Sequence, residues 1–166
     1  NNPYPEPEEG TKVYYGVMSS GSLKGLDPCQ AGDTTSGTWV GQFYDALYEY
    51  HYLKRPFQLK PALAEGMPEV SEDGLTWTIR MKQGVTYHDN RCFEGGEGRE
   101  VVAEDIVYSI KRTADPANSP RWWWMLAGKI EGLDEFHKRA LEQQAKGERM
   151  DYDMPVSGLQ APDDHT

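Results

Sequence analysis

The chain has 166 residues, 37% of them hydrophobic and 27% charged, a length and balance that suit one ordinary folded domain and exclude the low-hydrophobicity signature of disorder. Its 17 basic residues stand against 27 acidic ones for a formal charge of −10, which repels phosphate backbones and excludes a nucleic-acid partner. No apolar run approaches the roughly 18 residues of a membrane span.

Asn1 to Gly10 reads NNPYPEPEEG, too polar and proline-rich to offset the entropy of ordering it, and is expected to be a tail through residue 11. No initiating Met, basic n-region or apolar h-region stands at the start, which says nothing about compartment. Val13–Val17 (VYYGV) has the β-branched and aromatic character of a short buried strand. Ser19 to Gly37 is dominated by Gly, Ser, Thr and Asp and reads as a long loop, the kind that usually carries function. Trp39, Val40, Phe43 and Leu47 then predict a helix over Thr38–Tyr48, with Thr38 as N-cap and one buried stripe.

Asp73-Gly74 predicts a hairpin turn between the stretch around Val70 and Leu75–Met81, with Trp77, Ile79 and Met81 on one face. A second turn at Gln83-Gly84 leads to Val85–His88, and these runs together predict a small antiparallel sheet. Ala103, Ile106, Val107, Ile110 and Ala114 recur at helical spacing, with Glu104 and Asp105 in the first turn and Pro116 as the stop. A third helix is expected over Asp134–Lys146, with Phe136, Ala140 and Leu141 inward and Gly147 ending it. Val156–Leu159 reads as a further strand, Ala161–Asp164 as a turn, and His165-Thr166 as the start of a partner strand. A strand so interrupted would leave backbone groups unpaired, which predicts a fragment of a longer protein. The fold class is mixed α/β, in the α+β sense: a small antiparallel sheet with flanking helices.

Chemistry-bearing residues are sparse in pattern. Cys29 and Cys92 lack metal-knuckle spacing; a single disulfide would suit an exported protein, and two unpaired thiols are the alternative. His88, Asp89 and Cys92 are close enough to suggest a metal site, but they have no convergent second pair, and His51, His137 and His165 are scattered. A structural or solvated role is preferred, with no metal and no cofactor. No G-x-S-x-G, P-loop or G-x-G-x-x-G motif occurs. The chain is therefore read as a non-enzyme; a metal-dependent hydrolase domain is the competing class, and sugar stacking on the many Tyr and Trp side chains is a third reading.

The order of motifs is more specific than any of them singly: LDP at Leu26–Pro28, FYDALYEY at Phe43–Tyr50, PALAEG at Pro61–Gly66, SEDGLTWTIRMKQGVTYHD at Ser71–Asp89, AEDIVYSIKR at Ala103–Arg112 and a closing GLQAPDDHT. From Lys12 onward the series resembles the N-terminal part of the family 5 extracellular solute-binding proteins, the dipeptide, oligopeptide and nickel receptors. The resemblance implies the first part of a periplasmic-binding-protein-like type II fold, whose two lobes close around an extended ligand. Residues 12–43 would open the first lobe, 44–155 would form its outer subdomain, and 156–166 would begin the return into that lobe.

It also implies a function: an extracytoplasmic receptor of an ABC importer, periplasmic or at the cell surface with or without a lipid anchor. Such a receptor is monomeric, captures peptides or similar small solutes and docks on a membrane permease; an oligosaccharide receptor of the same fold is the alternative. In the family, the segment after LDP lines the cleft, which points to Gly32, Asp33, Thr34 and Thr35; a plain loop fixed by Asx and hydroxyl turns is the other reading. A second contact falls on Ser119–Trp122, where Arg121 would meet a ligand carboxylate and Trp122 an apolar side chain; a WWW run that packs the subdomain on its lobe is the other reading. This chain departs from the family in an enlarged loop, RCFEGGEGRE, and in Val102 at the usual hydroxyl cap. That loop carries Cys92, so a Cys29–Cys92 disulfide would pin it to the lobe opening.

Overall fold

Asp33 closes the first polar loop by capping a helix. Its carboxylate accepts hydrogen bonds from the Ser36 amide (3.0 Å) and the Ser36 hydroxyl (2.9 Å), satisfying a donor that a helix start leaves free. The computed structural model describes residues 9–13 and 23–166; beyond Val13, the expected strand Val13–Val17 lies outside the described residues. Helix α1 therefore spans Thr34–Phe43, four residues earlier than the expected Thr38 start. Thr38 lies inside it, its hydroxyl donating to Thr34 O at 2.8 Å. The expected buried stripe does not form either: Trp39 and Phe43 are exposed, and Ser36 is the buried residue of the helix.

Strands β1 (Tyr48–Tyr50) and β2 (Leu59–Pro61) form an antiparallel hairpin with Glu49 opposite Lys60. The hairpin expected at Asp73-Gly74 is present as β3 (Glu69–Val70) and β4 (Trp77–Thr78). Gly74 sits at φ 72°, and the Asp73 carboxylate accepts from the Leu75 amide at 3.0 Å. Its strands are short, so the alternation fails as a burial pattern: Met81 is buried but Trp77 is exposed. Val85–His88 turns away from this hairpin and pairs with Arg99–Val101, through Tyr87 N to Arg99 O (2.9 Å) and Val101 N to Val85 O (2.8 Å). Gly98 is required there, because a Cβ would stand 1.8 Å from the Tyr87 carbonyl oxygen.

Helix α2 spans Ala103–Ala114 and stops at Asp115, before Pro116, as its spacing predicts. Val102 offers no side-chain acceptor, and the Asp105 carboxylate returns to the Val102 amide at 2.9 Å, half of a capping box. A single helical turn, α3 (Trp123–Leu126), precedes helix α4 (Leu133–Ala145). Phe136 and Ala140 point inward as expected, whereas Leu141 is exposed.

Two cores result. Ala114, Leu133, Phe136 and Val156 form the helical one, where the fully buried Phe136 and Leu133 side chains each contribute about 1.5–3 kcal/mol. Met81, Val101 and Ala103 form a smaller one with Leu47 and Ile106 against it. Val156–Leu159 is a tight turn closed by Leu159 N to Val156 O (2.9 Å), not a strand. A Cβ on Gly158 would meet Glu131 N at 2.7 Å, so that turn is jammed against the start of α4. The last residues instead bond Met81 and Ala103, through His165 O and Asp164 O, each at 2.8 Å.

Candidate functional site

The LDP segment and the loop after α2 are far apart in sequence and meet in space. Asp27 and Arg112 form a two-point ion pair, Nη1 to Oδ1 at 3.2 Å and Nη2 to Oδ2 at 2.6 Å. The Arg112 guanidinium holds the Asp27 carboxyl below the usual carboxylate range. The main chain then folds over Asp27, whose carbonyl accepts from the Gln30 and Ala31 amides at 3.0 Å each. Four further contacts fasten the segment: Cys29 O to the Arg121 amide (3.0 Å), the Cys29 thiol to Arg112 O (3.5 Å), Gln30 Nε2 to Asn118 O (2.9 Å) and Trp122 Nε1 to Ala31 O (3.0 Å).

The loop carrying Arg121 is itself braced. Asp115, buried, accepts from the Tyr152 hydroxyl and the Ala117 amide, both at 2.9 Å. Asn118 Nδ2 donates to Tyr152 Oη (2.8 Å) and to Arg112 O (3.1 Å). Burial pushes the Tyr152 phenol well above its ordinary range, so it remains a neutral donor. Ser119 completes the turn in the left-handed region at φ 51°.

Of the six residues singled out in the sequence, the structure brings three to one place. The Arg121 stem lies on Gly32, where a Cβ would stand 3.0 Å from Cγ, and the Trp122 indole reaches the neighbouring Ala31. The Arg121 guanidinium is exposed and has no hydrogen-bond or ion-pair partner among the described residues. Asp33 is turned to the cap of α1, while Thr34 and Thr35 are its first residues. The three consecutive tryptophans divide: Trp122 meets the LDP segment, Trp123 packs on the helical core and stacks on His137 (centroids 4.2 Å apart), and Trp124 is 70% exposed. Gln30 and Asn118 carry no sequence signal because their partners, Asn118 O, Arg112 O and the Tyr152 hydroxyl, are backbone carbonyls or lie far along the chain, which leaves no pattern in residue type.

The Cys29–Cys92 disulfide is not formed. Cys29 is a buried free thiol facing Arg112 O, and Cys92 is an exposed free thiol in the enlarged loop. Burial pushes the Cys29 thiol up, away from the thiolate that exchange chemistry needs. In the same loop the Asp89 carboxylate accepts from the Gly98 amide at 3.0 Å, and among the described residues no group of three or more His, Cys, Asp or Glu is placed to hold a metal ion. Nor is any helix there long and apolar enough to cross a membrane. What the site offers chemically is one free guanidinium beside an indole, on a surface flattened by glycine.

Known proteins carry the same architecture. The chain is similar to the glutathione-binding protein GsiB of Escherichia coli O1:K1 / APEC, 34% identical over 93 residues, and to GsiB of E. coli K12 at 33%; each alignment covers 56% of this chain and 16% of the relative. Among solved structures it is similar to Listeria monocytogenes OppA bound to peptide, with a TM-score of 0.62 and 21% identity over 84% of this chain and 23% of that one. It is also similar to the pheromone receptor PrgZ, with a TM-score of 0.55 and 30% identity over 74% of this chain and 21% of that one. The chain thus spans less than a quarter of the length of these relatives, and its mixed helices and small antiparallel sheets are those of part of the type II fold. A profile of the bacterial extracellular solute-binding proteins, family 5 Middle, matches residues 58–166, which include Arg121 and Trp122 but not the Gly32–Thr35 segment. On the extent of that match, the chain belongs to the family 5 bacterial extracellular solute-binding proteins.

Proposed function

We propose that this chain forms part of the first lobe of an extracytoplasmic receptor that captures peptides, or similar small solutes bearing a carboxylate, and delivers them to the permease of an ABC importer. It breaks no bonds: the solute is held between lobes, and closure is driven by its greater affinity for the closed state. The observation that carries the reading is the free Arg121 guanidinium on Gly32, beside Trp122, because a guanidinium is suited to a planar carboxylate and an indole to an apolar side chain. In this reading residues 12–43 open the lobe, 44–155 form its outer subdomain and 156–166 begin the return.

Calorimetric titration tests it. The 166-residue chain alone is expected to bind short peptides weakly or not at all, since the opposing lobe supplies most of the cleft; tight binding by the chain alone would overturn the two-lobed capture. In a protein carrying both lobes, Arg121→Ala is expected to weaken a peptide with a free C-terminal carboxylate about tenfold or more, the size of one lost charge-assisted hydrogen bond. Its amidated counterpart should be unaffected. Equal affinities in wild type and variant would remove Arg121 from the site.

A further inference from the structure

The connection between β1 and β2 is shaped, exposed and opposite in charge to the rest of the molecule. His51 N donates to Gln58 O at 2.8 Å and closes the loop, inside which Arg55 Nη1 caps the Lys54 carbonyl at 2.8 Å. Tyr50 meets Phe57 edge-on at 5.6 Å, and the Arg55 guanidinium lies 4.3 Å over the Phe57 ring. Yet Tyr52 is 86% exposed, Leu53 77%, and Tyr50 and Phe57 67% each, and none of the four belongs to either core. Contiguous apolar groups left outside in this way mark an interaction site.

Charge narrows the partner. From His51 to Ala64 there is no Asp or Glu, so all 27 carboxylates of the chain lie elsewhere. Lys60 is neutralised by Glu49 at 2.7 Å, whereas Lys54 and Arg55 have no ion-pair partner among the described residues. From these observations we infer that the apex is a docking point for an anionic lipid surface. Tyr50, Tyr52, Leu53 and Phe57 enter the boundary between headgroups and acyl chains, and Lys54 and Arg55 stay at the level of the phosphates. Tyr, Leu, Lys and Arg on one projection is an interfacial composition. A deformable lipid surface accepts a protruding turn of any shape, whereas a protein would need a matching concavity. A body of charge −10 is repelled by the same lipids everywhere else, so the contact has one orientation.

Co-sedimentation of the 166-residue chain with vesicles is the test. It should sediment with vesicles of mixed phosphatidylglycerol and phosphatidylcholine and not with phosphatidylcholine alone. The pairs Lys54→Glu with Arg55→Glu, and Tyr52→Ser with Leu53→Ser, should each cut binding about tenfold or more, with unchanged circular-dichroism melting to show that both variants fold. Absence of binding to anionic vesicles, equal binding to neutral ones, or binding that survives both pairs would each overturn the inference. So would sedimentation-velocity evidence that the apex holds two copies together, if it comes without vesicle binding.

Discussion

Phe136 and Phe57 are the same side chain in two settings: the first is 0% exposed between α2 and α4, the second 67% exposed at the hairpin apex. Around Phe136 the sequence supplies its own cover, with Leu133, Ala114 and Val156 closing on it from three segments. Around Phe57 the hairpin supplies only Tyr50 and the Arg55 guanidinium. Phe136 is thus covered by the fold's own side chains, whereas the hairpin apex leaves its aromatic and aliphatic groups exposed.

Substitutions can break or sharpen that contrast. The largest effect belongs to Phe136→Ala, expected to cost about 3–5 kcal/mol in urea unfolding because it leaves a cavity in a closed core; a loss below about 1 kcal/mol would mean that the helical core is not what holds the chain. Next is the clamp that joins the LDP segment to α2, where Asp27→Asn is expected to cost about 1 kcal/mol at neutral pH, an amount suited to a partly exposed pair. Asp27 is held below its unfolded value of about 3.9. Its stabilisation is therefore complete above that value and lost as pH falls through the lower folded one. The gap between wild type and Asp27→Asn should close in acid below about pH 4, and a gap constant with pH would show that the pair is not its source. The smallest effect is Phe57→Ala, expected to change stability by less than about 0.5 kcal/mol; a larger loss would place the apex in the fold's own packing.

The sequence was most legible where local signals agreed with burial. Helix α2 has its apolar spacing, acidic first turn and Pro116 stop, and α4 has Phe136, Ala140 and Gly147; both lie within a residue or so of their expected limits. Helix α1 starts four residues before the limit that a stripe of Trp39 and Phe43 suggests, because the decisive signal is Asp33, whose carboxylate caps the Ser36 amide three residues on. Leu47, counted in that stripe, leaves the helix and joins the second core. Val156–Leu159 has a strand's composition, but Gly158 is pressed onto the Glu131 backbone and the segment turns. At the site, nothing local links Gly32 to Arg121 or Ala31 to Trp122, since tertiary contacts made to backbone groups leave no periodicity.

Gly32 carries a consequence for how such a surface could change over generations. With no side chain at that position the arginine's aliphatic stem lies flat, and a single added methyl, 3.0 Å from Cγ, would force it to tilt. A replacement at residue 32 would therefore have to move, by a few tenths of an ångström, the stem of an arginine encoded far downstream. Two positions 89 residues apart thus share one patch of surface, and a change at the first is felt at the second while the arginine codon itself stays untouched.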